Sequence, residues 1–114
     1  MDEKTVLSVV KTYVTVSPED DAFDEELILD ILPAISKLNQ LGVQITKFNI
    51  DKDTKWSDVI VSTNTPIFGF IVEYIGVSVR QVFNPATSSF LQKTLDERIA
   101  ELSFRIIHGL EVND

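Results

Sequence analysis

The sequence predicts a mainly α-helical fold, a small bundle of about four helices with a long middle excursion that leaves room for a short β-hairpin. Three observations predict it. Apolar residues recur at helical spacing in four separate segments. Pro, Gly, Asn and Ser punctuate the boundaries between those segments. The chain has 114 residues, 44% of them apolar, which suits one domain over 1–114 with a modest core.

The first helix is expected over Thr5 to Val14. Val6, Val9, Val10, Tyr13 and Val14 recur at its spacing, and Ser17-Pro18 ends it. Its β-branched residues also suit a strand. The second helix carries the clearest stripe: Phe23, Leu27, Ile28, Ile31, Ile35, Leu38 and Leu41. Asp20, Asp21 and Asp24 stand where unpaired amides and the positive dipole end favour acid. Gly42 suits the C-cap, and Pro33 predicts a kink or a break.

Residues 43 to 65 lose this periodicity. Val43, Ile45, Phe48 and Ile50 alternate only in part. Asp51 to Lys55 makes a polar turn, Val59-Ile60-Val61 is short and β-branched, and Thr63 to Pro66 is loop-like. Long excursions of this kind are uncommon and often functional. The third helix is expected from Ile67 to Phe83, with Phe68, Ile71, Val72, Ile75, Val79, Val82 and Phe83 on one side. Gly69 and Gly76 lower its propensity and leave room for a close neighbour. Asn84-Pro85 ends it. The last helix starts near Ser88 or Ser89 and runs to about Ile107, with Leu91, Leu95, Ile99, Leu102 and Ile106 inward. Gly109 closes it, and Glu101 and Arg105 are spaced to pair along it.

Composition removes several kinds of chemistry. There is no cysteine, so disulfides, thiolate zinc sites and cysteine nucleophiles are out. One histidine, His108, cannot build a di-metal helical centre and is expected to cap the last helix or face water. The four glycines form no phosphate-binding motif. Asp51, Asp53 and Asp58 begin like a calcium loop, but Trp56 stands where the loop needs glycine and Ser62 where it needs a bidentate glutamate. Paired acids such as Glu97 and Glu101 suit a solvated surface. No stretch is long enough to span a membrane, and the N-terminus does not resemble a secretory signal. No catalytic, metal or cofactor site is expected, and no enzyme.

Net charge is -8. Seven acids fall between Glu19 and Asp30 with no Lys or Arg among them. That stretch is either a solvated helix start or a docking surface for a basic partner. The ten basic residues are scattered, which argues against direct binding of nucleic acid. Trp56, beside Ser57-Asp58, either pins the middle excursion to the core or anchors a partner. Arg80 either snorkels or pairs with an acid of the last helix, such as Glu101, or else takes part in an interface. Phe83-Asn84-Pro85 makes a rigid corner, for packing or for contact.

These residues carry a family resemblance. It runs from Val9-Val10-Lys11-Thr12-Tyr13-Val14 and the acidic stretch before Phe23-Asp24, through Leu38-Asn39-Gln40-Leu41-Gly42-Val43 and Trp56-Ser57-Asp58. It continues with Tyr74, Val79-Arg80-Gln81-Val82-Phe83-Asn84-Pro85 and Thr87-Ser88-Ser89-Phe90, and ends on Ile99-Ala100-Glu101-Leu102-Ser103-Phe104-Arg105. In this order the segments resemble the small head-tail connector, or neck, proteins of tailed bacteriophages. The chain departs from that pattern at Asn84, where an acid is expected, at Ala86, where a second proline is expected, and near Ser103, where tryptophan is frequent.

The resemblance implies a virion component without catalytic groups: an adaptor ring below the portal that extends the DNA channel and joins head to tail. It implies contact with the portal protein, with the next neck or tail protein, and with copies of itself in the ring. Packaged DNA would pass through without sequence-specific binding, and no membrane is involved. The protein would sit in the virion neck, and in the host cytoplasm before assembly. Trp56, Asp58, Arg80, Phe83, Pro85, Glu101 and Arg105 are the candidate interaction residues. Two other roles fit the residues less closely: a tail-completion or tail-terminator protein, and a small acidic regulatory adaptor for a host protein.

Overall fold

A computed structural model describes residues 4–60 and 65–112. It is helical, with α1 (Val6–Tyr13), α2 (Asp24–Leu41), a single turn α3 (Trp56–Val59), α4 (Thr65–Phe83) and α5 (Ser89–Val112). The four expected helices are present, and the excursion adds the short α3.

Helix α4 is the centre of the bundle. It is apolar on most sides and packs against α1, α2 and α5. Ile71, Ile75 and Val79 on α4 meet Leu27, Ile31, Ile35 and Leu38 of α2 and Leu102 and Ile106 of α5 in one buried cluster. Each such side chain removed from water contributes about 1.5–3 kcal/mol before entropy is counted. Val82, expected on the inner stripe, is 63% exposed, because the stripe has rotated past the core by the last turn.

Close approach explains one glycine. A Cβ on Gly76 would run into the Tyr13 ring, so α1 lies against α4 only because that position is bare. Gly69 has no neighbour within reach and does not play this part. Gly109 does not close α5. The helix continues to Val112, and the missing side chain lets it pass Ile67 of α4.

The helix ends follow local chemistry. Thr5 Oγ1 accepts the Ser8 amide at 3.2 Å and caps α1. Helix α1 ends before Ser17-Pro18. Its chain reverses at Thr15, whose φ is 59°, while the Val16 amide donates back to the Lys11 carbonyl at 3.0 Å. Gly42 closes α2 with φ 112°. Pro33 does not break α2. Pro33 and Leu29 are both exposed, so the carbonyl that loses its amide partner lies on the water side. Thr65 and Pro66 belong to the first turn of α4, where a missing amide costs little, and are not loop. Ser88 Oγ accepts the Leu91 amide at 3.1 Å and starts α5.

The described part of the middle excursion folds back on the bundle without a hairpin ladder. Among the described residues it makes two isolated antiparallel bridges, Ile45 with Ile60 and Thr5 with Lys55. Thr54 turns inward, and its carbonyl accepts the Val6 amide at 2.9 Å, satisfying a donor that α1 leaves open. Asp51 holds the turn by accepting from the Asp53 amide and the Thr54 hydroxyl. The first of these bonds lowers its pKa most. Val61, Ser62, Thr63 and Asn64 lie outside the described residues.

Candidate interaction surface

The corner between α4 and α5 forms a cleft. The last turn of α4 carries Arg80 and is stopped by Asn84-Pro85, and Ser88 then starts α5. Asn84 Nδ2 donates to the Val14 carbonyl at 2.8 Å, tying this corner to the end of α1. The acid expected at that position would lack this donor in its charged form. The result is a cleft of about 390 Å³ lined by Tyr13, Thr15, Arg80, Asn84, Pro85 and Thr87, among others.

Arg80 and Pro85 thus meet in one cleft. Arg80 is half-buried and makes no ion pair among the described residues. The expected pairing with Glu101 does not form. Glu101 is taken by Arg98 at 2.5 Å and by Arg105 at 3.6 Å. Phe83, on the flank of the corner, packs edge-on against Phe23 with centroids 5.4 Å apart.

The remaining candidates lie elsewhere. Trp56 is 4% exposed and meets Phe68 edge-on at 5.8 Å, so it pins α3 to the bundle and offers no surface for a partner. Asp58 is exposed and accepts the Lys55 amide at 3.0 Å, capping α3. Arg105 extends over the ring of Phe70, 5.7 Å from its centre.

Two ion pairs escaped the reading by pattern. Arg98 grips both carboxylate oxygens of Glu73, one of them at 2.7 Å from Nη2, and clasps α5 to α4. Donation from Arg98 holds the Glu73 carboxyl below its ordinary range. Lys11 is buried at 5% exposure. Its ammonium lies 2.8 Å from Asp24 Oδ1, a close charge contact that is not aligned as a hydrogen bond, and donates to the Asp20 carbonyl at 2.9 Å. One acid of the acidic stretch is therefore structural. The signal was a lysine one turn from Leu7 on an apolar helix, followed by acids within reach.

Large apolar side chains are exposed as well. Phe90 is 80% exposed and Phe104 is 69% exposed on the outer side of α5. Phe104 stacks on His108 with ring centres 6.0 Å apart. Among the described residues no cluster of three or more His, Asp or Glu could hold a metal, and no helix is long and apolar enough to cross a membrane.

A family model described as phage connector protein matches residues 6–111. No curated protein and no solved structure matches the chain.

Proposed function

Because the chain belongs to the phage connector protein family, we propose that it is the adaptor that docks below the portal, assembles there as a ring, continues the DNA channel and receives the next neck or tail protein. The observation that carries this reading is the extent of the family match, from the first helix to the last.

Physical features agree with it. The bundle is stiffened by a central helix packed on three others. A unit of this kind transmits load through side-chain packing and not through mobile loops. The net charge of -8 suits the wall of a DNA channel, since like charge keeps the duplex from adhering. A tail-terminator role is disfavoured. Such proteins often rely on a β-sandwich, and the described residues contain two isolated bridges and no sheet.

The test uses DNA-filled heads assembled without this protein. Adding the purified protein should retain DNA in the heads and let tails join. Heads that hold DNA and join tails equally well without it would overturn the reading.

A further inference from the structure

The cleft holds a positive charge that no described acid neutralises. No carboxylate pairs with Arg80 among the described residues, although the chain carries 18 acids. The stretch 19–26 shows the reverse imbalance. Asp24 has Lys11, while Glu19, Asp21, Glu25 and Glu26 are exposed and have no ion pair among the described residues. One turn further along α2, the Asp30 carboxyl is pushed up by burial and by the charge of Glu26. Among its described residues, one copy therefore carries both halves of an ion pair that it does not close on itself.

Both halves lie at one end of the bundle. Phe23, inside the acidic stretch, packs on Phe83, and Asn84 holds the end of α1. In a closed ring each copy offers its neighbour a different patch from the one it receives, at the same height along the axis. An exposed acidic helix start and a cleft anchored by a guanidinium are complementary in sign, and guanidinium suits carboxylate in shape as well.

We propose that the Arg80 cleft of one copy receives the acidic stretch 19–26 of the next copy, Arg80 pairing with carboxylates drawn from Asp21, Glu25 and Glu26. The inference rests on the ring reading above and deepens it by naming the contact between copies.

Ring formation on purified portal, read by native mass and imaging, tests it with full-length variants. The first is Arg80→Glu, the second is Asp21→Lys with Glu25→Lys and Glu26→Lys, and the third carries both sets. Thermal unfolding checks that each is folded. If Arg80→Glu does not fold, Arg80→Gln replaces it, and the acidic-stretch variant, altered at exposed positions, carries the test by itself. The expected result is a loss of ring formation of about tenfold or more for each single set, and substantial recovery when both are reversed together. Full-strength rings from either single set, or no recovery in the combined variant, would overturn the contact while leaving the connector reading in place. No association of the unaltered protein with portal would overturn both.

Discussion

Thr15 sits in the left-handed region with φ 59°, a conformation that crowds a β-branched side chain. It is tolerated because the reversal lets Val16 bond back to Lys11 and brings the chain to the cleft. Relieving the crowding with Thr15→Gly should raise stability by about 1 kcal/mol, seen as a higher urea midpoint with an unchanged slope. Trp56 behaves in the opposite way. It is buried against Phe68, so Trp56→Ala should lose about 3–5 kcal/mol of stability, and any loss of assembly should follow from that. Equal thermal stability with weakened assembly would return Trp56 to an interface role. Residue type alone could not separate these cases: a lone tryptophan in a polar loop suits either, and only its burial decides.

Helices α1 and α4 meet at a bare backbone position, and α4 and α5 meet through a charge clasp. Gly76→Ala pits two effects against each other. Alanine favours the helix by about 1 kcal/mol, but its methyl group collides with the Tyr13 ring. The collision should win, giving net destabilisation by chemical unfolding. In the clasp, Glu73 has its pKa lowered chiefly by donation from Arg98. A carboxylate with a depressed folded pKa adds stability above its unfolded value, and that stability is lost as pH falls through the folded pKa. Glu73→Gln should therefore be less stable than the unaltered chain at neutral pH. The difference should shrink as the pH drops below the ordinary glutamate value of 4.5, measured by unfolding across pH. Helices α2 and α4 and the start of α5 were legible because period, caps and Pro or Gly punctuation agree there. Gly109 misled because a glycine near a helix end can also be a packing device. Of the kink or break expected at Pro33, the break is absent, since α2 runs on through an exposed proline whose place on the water side is decided by the fold.

Across the whole molecule, the class and layout could be read from the chain, but its surface could not. A stripe of apolar residues predicts that a helix buries one side, and α2 and α5 do so. Whether Arg80 finds an acid, or whether Lys11 is drawn inside, depends on elements distant in sequence. Contacts with other proteins depend on partners outside the chain altogether. That separation gives the assembled particle its own test: purified protein mixed with the portal protein of the same phage, followed by sedimentation and native mass. The expected result is a discrete complex in which a fixed number of copies is stacked as a ring on the portal. Portal and this protein sedimenting separately at high concentration, both folded, would contradict the connector role.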